Sequence, residues 1–329
     1  MVYASVIIFD FNRPTFIKDA IASIKKNSNE TDVEIILIKS YKDIKIEKFL
    51  VENNVHYIDL MEKTSQSDYI KASVNAASGE IMIFMDDDDL FYPEKIRHII
   101  SIFQANQNLG YYHNNFDTID EFENIISNKN YKTPKFKSLY ISNVKKLLFF
   151  KDRKNLRLLL KIRPDFNSSS IAIRKSLLSE FSMEYTFNVR PDSFIFTAAL
   201  ISSKDIMFEN KVLTHYRIYG GNVSTSYNVS VQKLMETFTK AFSDGISMFD
   251  LIKRIINCDV YQNYVELRII NLKLAYNFWS LTRTYKISLY DKYLILRIDF
   301  IHESGYIILS LMPAFIKLRV MKKFYHAKK

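Results

Sequence analysis

The sequence predicts an α/β fold in which helices cover both faces of a mostly parallel β-sheet. Three observations lead to this prediction: short apolar runs alternate with helical patterns, these runs are apolar at successive positions, and four acidic residues directly follow one of them. Strands that are apolar on both faces are typical of parallel sheets enclosed by helices. The alternation of strands and helices indicates the same class.

The strands of this predicted sheet are short. The first four comprise residues 5–9, 33–38, 55–60 and 81–85, and later strands comprise residues 111–116 and 168–174. Asn12 is expected to cap the first helix, with Pro14 in its first turn, where a missing N–H costs nothing. His113, within the fifth strand, is expected to pack or to form hydrogen bonds rather than to bind a metal.

The acidic run Asp86–Asp89 directly follows the strand of residues 81–85. Ligands of parallel α/β sheets bind outside the carboxyl ends of the strands. Four adjacent carboxylates repel one another, so they need a compensating partner. A divalent cation that carries a phosphate group is the leading candidate, because Mg²⁺ and Mn²⁺ prefer carboxylate and phosphate oxygens. The alternative is a solvated acidic turn that caps the helix starting near Pro93.

Composition favours a folded protein of a reducing compartment. The chain has 329 residues, of which 48% are hydrophobic, and its single cysteine, Cys258, excludes an internal disulfide. The first residues enter a strand without the features of a signal peptide. No apolar run reaches the roughly 18 to 20 residues that span a bilayer. We therefore expect a cytoplasmic protein.

The net charge of +10 is concentrated in two basic segments. Residues 132–163 contain eleven Lys or Arg and one acid, and residues 313–329 contain six Lys or Arg and no acid. Such patches favour an anionic partner, either nucleic acid, a lipid surface or a phosphorylated substrate. Solubility alone is the simpler interpretation.

Two stretches resemble the family 2 glycosyltransferases with a GT-A fold. Ser5–Pro14 is similar to their opening strand and loop, and Ala77–Glu80, the next strand and Asp86–Asp89 are similar to their approach to the Asp-x-Asp motif. The resemblance implies a sugar-nucleotide donor and Mg²⁺ or Mn²⁺ as the cofactor. The residues that it implies around the donor are Phe9, Asp10, Phe11 and Arg13 near the base, Asp86 near the ribose, Asp87 at the nucleotide sugar, and Asp88 as the metal ligand for the diphosphate.

The resemblance continues into the second half of the chain. Ser168–Arg174 resembles the strand that leads into the acceptor half of the fold, and Arg190–Phe196 matches the place of the family's catalytic Asp at a helix start. Asp192 is therefore implied as the base. Inverting glycosyl transfer needs one base to deprotonate the acceptor hydroxyl. The alternative is that Asp192 only caps its helix after Pro191.

Three positions depart from the family pattern. Lys39 stands where the family usually has an Asp that contacts the nucleobase, which leaves the base open. Lys71 stands where Arg-Asn is frequent, so it is either a source of positive charge for the donor or an ordinary surface lysine. Tyr219 replaces a His of the closing motif, which reads Tyr-Arg-x-His-Gly-x-Asn-x-Ser in the family. Either Asp88, diphosphate and water hold the metal without it, or metal dependence is weak.

Two domains are expected: a GT-A catalytic domain over residues 1–228 and a helical extension over residues 229–329. Within the extension, helices are predicted over residues 231–256 and 261–284. Residues 306–329 interleave large apolar residues with cations, which fits a helix in a membrane interface. A terminal core helix with a solvated basic end is the alternative. Residues 144–161 fit a second basic amphipathic helix, either on an anionic membrane or simply solvated.

The function expected from these observations is inverting glycosyl transfer from a nucleotide-diphosphate sugar to a hydroxyl of a glycan acceptor. The acceptor is expected to be lipid-linked, with the protein bound peripherally to the anionic inner face of the membrane. A nucleotidyltransferase is disfavoured, because no glycine precedes Gly79 to form a phosphate loop. A catalytically inactive GT-A-like scaffold is favoured by Lys39 and Tyr219 and opposed by the intact acidic residues. Nucleic acid is not an expected partner, since no nucleic-acid motif is present.

Overall fold

The structure of the chain is a computed structural model that describes residues 2–27, 32–60, 65–126, 138–142, 165–184, 189–220, 230–255, 262–281, 284–288 and 314–327. The chain divides into two compact units, the first made of Met1–Val144 with Pro164–Ile218 and the second of Lys145–Arg163 with Tyr219–Lys329. The predicted basic helix over residues 144–161 lies outside the described residues. The predicted boundary at residue 228 stays a prediction.

Six strands lie where they were expected, although the one expected over residues 168–174 begins only at Ile171, and three further strands were not expected. All these strands belong to the first unit. They are β1 (Ala4–Asp10), β2 (Val33–Lys39), β3 (His56–Asp59), β4 (Ile81–Asp86), β5 (Leu90–Phe91), β6 (Leu109–Ile119), β7 (Leu139–Ile141), β8 (Ile171–Arg174) and β9 (Asp205–Arg217). Its helices are α1 (Ile17–Lys25), α2 (Ile44–Glu52), α3 (Gln66–Ala76), α4 (Lys95–Ala105), α5 (Lys175–Glu184) and α6 (Pro191–Ile201). A short 3₁₀ turn, Ser168–Ser170, precedes β8.

These strands form one nine-stranded mixed sheet in the order β3-β2-β1-β4-β8-β6-β9-β5, with β7 paired to β9. Strands β1 to β4 pair in parallel. Strand β8 is antiparallel to both β4 and β6, and β6 is parallel to β9. The carboxyl ends of β1, β4, β6 and β9 therefore lie at the same edge of the sheet, which is the edge where α/β sheets bind ligands.

The centre of the sheet is buried on both faces, as the apolar runs predict. All seven residues of β1 are buried, and so are the first five of β4. Gly79 lets β4 start close against β1, because a Cβ at this position would lie 2.6 Å from the carbonyl carbon of Ala4. The strand that ends in the acidic run is thus fixed in the middle of the core.

The start of α1 differs from the expectation. Asn12 does not cap the helix, which begins at Ile17 with Phe16 in the N-cap position. Asn12 instead adopts a left-handed backbone conformation with φ of 66°, which asparagine tolerates better than most residues. The carboxylate of Asp10 accepts the N–H of Arg13 at 2.9 Å, so the chain turns at the end of β1 before the helix can start. The predicted cap was wrong because Asp10 organises this loop.

The described helices of the second unit are α7 (Val231–Ile255), α8 (Gln262–Trp279) and α9 (Ala314–Ala327). Apolar side chains of α7 and α8 form its core, including Ile246, Phe249, Ile252, Leu267, Ile270 and Leu274. In α9, Lys317 and Met321 are buried, and Lys317 Nζ donates to the carbonyl oxygen of Asn277 at 2.8 Å. Among the described residues, no helix combines the length and apolarity needed to cross a bilayer.

Candidate active site

The acidic run lies at the carboxyl end of β4, and most of it is buried. Asp86 is the last residue of the strand, Asp87 and Asp89 are fully buried, and Asp88 is 3% exposed. Helix α4 starts only at Lys95, with Glu94 in its N-cap position. The alternative of a solvated acidic turn that caps this helix is therefore wrong, and the buried carboxylates need partners of another kind.

Arg13 supplies one of these partners from the loop after β1. Its Nη2 lies 2.5 Å from Oδ1 of Asp87, and its Nη1 lies 3.0 Å from Oδ2 of Asp88. One guanidinium thus joins the carboxylates of two consecutive residues. The sequence resemblance implied that Arg13 lies near the donor, and the structure brings it to the acidic run.

Arg217 holds the acidic run from the interior. This fully buried residue donates from Nε to the carbonyl oxygen of Asp88 at 2.8 Å, and its backbone N–H donates to Oδ1 of Asp89 at 2.9 Å. Its Nη1 lies 3.4 and 3.2 Å from the carbonyl oxygens of Asp120 and Glu121, and its guanidinium lies 4.2 Å from the centre of the Phe16 ring. The sequence alone indicates no role for Arg217, although this residue is the Arg of the closing Tyr-Arg motif.

The 3₁₀ turn before β8 provides two hydroxyl groups that form hydrogen bonds with Asp86. Ser168 Oγ donates to Oδ1 of Asp86 at 2.6 Å, and the backbone N–H of Asp86 donates to Oγ of Ser169 at 2.9 Å. The buried Lys95 donates to the carbonyl oxygen of Ser169 and, at 2.8 Å, to Oγ1 of Thr214. No signal in the sequence indicated this network, because its partners lie 82 and 119 positions apart in the chain.

Burial makes the negative charges of the acidic run costly. Burial and the charge of Asp88 raise the pKa of Asp86 to about 7, although the hydrogen bond from Ser168 and the charge of Arg13 act against this. Burial also raises the pKa of Asp87 and of Asp89 well above the usual range. Burial therefore favours the protonated forms of these three carboxyl groups, whereas a nearby cation favours the ionised forms.

Asp88 is suited to hold a metal only together with a ligand. Within the ranges that the structure describes, no three His, Cys, Asp or Glu side chains converge to hold a metal ion. Mg²⁺ commonly binds one or two carboxylates and completes its shell with phosphate oxygens and water. A carboxylate at the ligand-binding edge of the sheet fits this type of site. Tyr219 comes two residues after the end of β9, and its effect on metal dependence stays a prediction.

Two histidines of the first unit, His113 and His215, have partners within the protein. His113 is buried, with Nε2 3.0 Å from the carbonyl oxygen of Phe166, and burial lowers its pKa to about 4. The expectation that His113 packs and forms hydrogen bonds is confirmed. His215 pairs through Nδ1 with Oδ1 of Asp117 at 2.7 Å and stacks on Tyr92, with 4.0 Å between ring centres.

The residues expected near the base differ in how deeply they are buried. Phe9 is fully buried and stacks on Phe84, so it supports the site from within the core. Phe11 is half-buried at the end of β1, and its ring lies 4.6 Å from that of Tyr69, centre to centre. Asp10 is buried and accepts a hydrogen bond from the hydroxyl of Tyr41. Phe11 is thus the more accessible of the two phenylalanines for a base.

Lys39 does not take the place of the missing nucleobase contact. Its side chain is fully buried and pairs with Glu47 at 2.9 Å and with Asp59, and it donates to the carbonyl oxygen of Tyr41 at 2.7 Å. Its charge is therefore satisfied inside the protein. Lys71 lies half-buried on α3, and its contribution to donor binding stays a prediction.

Asp192 is the second residue of α6, and Arg190 occupies the N-cap position. The alternative that Asp192 is the cap is therefore wrong. Its side chain is buried, and Oδ2 lies 3.4 Å from Nη2 of Arg190. Burial raises the pKa of Asp192, the charge of Asp165 adds to this, and Arg190 acts against it. The charge of Asp192 also contributes to the raised pKa of Asp86, so these two carboxylates are close enough to interact.

A mixed sheet flanked by helices, with an acidic run at the carboxyl end of its fourth strand, defines a protein of the GT-A fold class. More particularly, the chain belongs to the family described as glycosyl transferase family 2, whose sequence pattern matches residues 5–181.

Solved structures share the fold at low sequence identity. Residues 1–349 of TarS from S. aureus, in complex with UDP-GlcNAc, align with a TM-score of 0.55 and 16% identity over 94% of this chain and 82% of that one. The mannosyltransferase PcManGT from Pyrobaculum calidifontis, in complex with GDP-Man and Mn²⁺, aligns with a TM-score of 0.52 and 14% identity over 99% of this chain and 85% of that one. At these identities the likeness establishes the fold.

Curated relatives match a smaller part of the chain. A glycosyltransferase of Nostoc sp. is 26% identical over 136 residues, which is 40% of this chain and 42% of that protein. A glycosyltransferase of Haemophilus influenzae is 25% identical over 114 residues, which is 33% of this chain and 37% of that protein. The chain thus matches about two fifths of the length of these relatives.

Proposed function

We propose that the chain is an inverting glycosyltransferase that moves a sugar from a nucleoside diphosphate to a hydroxyl group of a glycan acceptor. The observation that carries this proposal is the juxtaposition of two kinds of carboxylate in one unit. Asp88 offers an oxygen ligand for a metal–diphosphate pair at the sheet edge, while the buried Asp192 lies close enough to Asp86 to affect its pKa. The donor complexes of TarS and of the mannosyltransferase support the class of donor.

In this proposal Asp192 is the general base. The acceptor oxygen attacks the anomeric carbon, its proton passes to the carboxylate of Asp192, and the bond from the anomeric carbon to the diphosphate oxygen breaks. The bonding electrons leave with the diphosphate. The raised pKa of Asp192 makes its carboxylate a stronger proton acceptor than that of an ordinary aspartate. Attack opposite to the leaving group inverts the anomeric centre.

The remaining residues bind and orient the donor. Asp88 would hold a Mg²⁺ or Mn²⁺ ion, and this ion would supply positive charge for the leaving diphosphate. Arg217 fixes the backbone at Asp88, and Ser168 fixes the carboxylate of Asp86, which is proposed to face the ribose. Phe11 offers an aromatic face to the base. Because hydrogen bonds already hold the backbone at Asp88 and the carboxylate of Asp86, little ordering of these groups is needed when the donor binds.

An inactive scaffold is less well supported than an enzyme. In the sequence, Lys39 and Tyr219 favour the inactive scaffold. Since Lys39 is neutralised within the core by Glu47 and Asp59, its charge does not oppose donor binding. The buried carboxyl group of Asp192, whose pKa is raised, suits a general base and so favours an enzyme.

We further propose that the acceptor is lipid-linked and that the protein binds the cytoplasmic face of a membrane. The basic segment of residues 313–329 supports this proposal. One of its cations, Lys317, is buried against the carbonyl group of Asn277 and is unavailable to lipid headgroups. The contribution of the segment therefore rests on its five other cations and on apolar side chains outside the buried face of α9.

A panel of nucleotide sugars, each with Mn²⁺, tests the proposed activity by thermal unfolding. A donor present at about 100 times its Kd stabilises the fold by about 2.7 kcal/mol, which is readily measured. The stabilising donor is then incubated with glycan acceptors, and the anomeric configuration of the product is read by NMR. Stabilisation by none of the sugars, or retention of configuration in the product, would contradict the proposal.

A further inference from the structure

Arg13 contacts the carboxylate expected to bind the metal and is more exposed than that carboxylate. Its side chain is 21% exposed, whereas the side chains of Asp87 and Asp88 are 0% and 5% exposed. The fork of the guanidinium contacts one oxygen of each carboxylate, at 2.5 and 3.0 Å. The loop that carries it is held by the hydrogen bond from the Arg13 N–H to Asp10. A cation that approaches Asp88 therefore also approaches the positive charge of Arg13.

This contact opposes the binding of free metal in two ways. The guanidinium engages Oδ2 of Asp88, which is one of the two oxygens that a metal could use. Its positive charge also repels a divalent ion. At a separation of about 5 Å, and even with the dielectric constant of water, that repulsion alone corresponds to roughly a tenfold weaker affinity.

A nucleoside diphosphate can remove both obstacles. The planar fork of arginine matches the oxygens of a phosphate group as well as those of carboxylates. When the guanidinium turns to the diphosphate, Oδ2 of Asp88 loses its contact with Arg13, and the phosphate charge compensates Arg13. Metal and nucleotide then favour each other's binding, and this coupling is reciprocal.

On the basis of the proposed function, we propose that Arg13 holds the carboxylate of Asp88 in the absence of donor and transfers to the donor's diphosphate when the donor binds. Arg13 thereby makes the acidic run a weak site for free divalent ions and a strong one for the ion that accompanies the nucleotide. The residue acts as a positioning group that couples the two ligands.

Titration of the full chain with Mn²⁺ alone, followed by electron paramagnetic resonance of the free ion, tests this proposal. Arg13→Gln removes the charge and the fork, so its affinity for Mn²⁺ without nucleotide is expected to rise about tenfold or more. UDP or GDP is expected to tighten Mn²⁺ binding strongly in the wild-type protein. In Arg13→Gln the factor by which the nucleotide tightens metal binding is expected to fall at least tenfold.

Four variants separate local from general effects. Arg97→Gln removes an exposed charge from α4, and its affinity for Mn²⁺ should not change. Arg13→Gln combined with Asp87→Asn keeps the net charge of the wild-type protein and protects against misfolding, yet it should still tighten Mn²⁺ binding. Arg13→Lys keeps the charge and should remain near the weak wild-type affinity. Adding Asp88→Asn to Arg13→Gln should abolish the gain.

The outcomes distinguish this proposal from the proposed function. Equal Mn²⁺ affinity of the wild-type protein, Arg13→Gln and Arg13→Gln/Asp87→Asn would overturn the role of Arg13. A gain in Mn²⁺ affinity that persists in Arg13→Gln/Asp88→Asn would overturn it as well. A wild-type protein that no nucleotide or nucleotide sugar stabilises would instead overturn the donor-binding function. The comparison of metal affinities without nucleotide is informative in either case.

Discussion

Arg217→Met is expected to destabilise the first unit and to weaken metal-dependent donor binding. Methionine fills much of the volume of arginine, so the cavity term is small. The carbonyl oxygen of Asp88, however, loses its buried donor, and an unsatisfied buried acceptor costs about 1 to 3 kcal/mol. The desolvated contact with the Phe16 ring, at 4.2 Å, contributes about 2 kcal/mol more.

The bonds from Arg217 to the turn at Asp120 and Glu121 contribute less, because water can replace them on this exposed turn. We therefore expect a loss of about 3 to 5 kcal/mol in the free energy of unfolding, which is a large part of the stability of a typical domain. The backbone N–H that binds Asp89 is retained in the variant, so the acidic run should loosen rather than unfold.

Urea denaturation of the wild-type protein, Arg217→Met and Arg97→Met measures this loss. Arg97 is an exposed arginine of the same unit, and its replacement should change stability by less than about 0.5 kcal/mol. Donor affinity is measured with Mn²⁺ under native conditions. A loss below about 1 kcal/mol for Arg217→Met, with donor affinity unchanged, would refute the argument that Arg217 positions the acidic run.

Four further predictions concern chemistry and location. Asp192→Asn should keep donor affinity but reduce turnover by about 10²- to 10⁴-fold, and a loss below tenfold in folded protein would point to another base. Because burial raises the pKa of Asp192, kcat/KM should fall as the pH drops through a value above the usual range of aspartate, and an acid limb at ordinary aspartate pKa would contradict this. Asp88→Ala should abolish transfer and the metal-dependent part of donor binding. Unchanged donor affinity and turnover in this variant would contradict the assignment of Asp88 as the metal ligand. Deletion of residues 306–329 should reduce flotation with anionic vesicles and activity on lipid-linked acceptors while leaving donor affinity intact, and undiminished flotation would shift attention to residues 132–163.

The sheet and the acidic run could be predicted because their signals are local. Strands β1 and β4 are apolar at successive positions, and both are buried on both faces in the structure. The position of Asp86–Asp89 at the carboxyl end of β4 follows directly from the end of the apolar run. Similarly, Pro191 marks the start of α6 and thereby the place of Asp192.

The partners of the acidic run could not be predicted because they depend on tertiary structure. Lys95 and Arg217 are read from the sequence as solvated cations, yet both are fully buried. Their burial becomes favourable only when strands far apart in sequence bring carbonyl and hydroxyl oxygens to them, such as Oγ1 of Thr214 for Lys95. Lys39 shows the same effect, since its two acidic partners lie on different elements.

The prediction that Asn12 caps α1 was wrong for a more local reason. The pattern Asn-x-Pro satisfied the rule for a capped helix, and the rule takes no account of a competing acceptor upstream. The carboxylate of Asp10 binds the N–H of Arg13 and directs the chain into a turn. The same turn carries Arg13 to Asp87 and Asp88, so the exception to the rule coincides with the candidate site.

The pairing of Arg217 with Asp88 has a consequence for biosynthesis. The two residues are separated by 129 positions, and Thr214, a partner of Lys95, also belongs to β9. While the chain emerges from the ribosome, β1 to β4 can pair well before β9 has been made. The acidic run therefore passes through a period in which its carbonyl groups and Lys95 lack their later partners, and in which its carboxylates are open to water. Mutations in β9 should accordingly lower the yield of soluble protein during synthesis, even where they leave every donor contact in place.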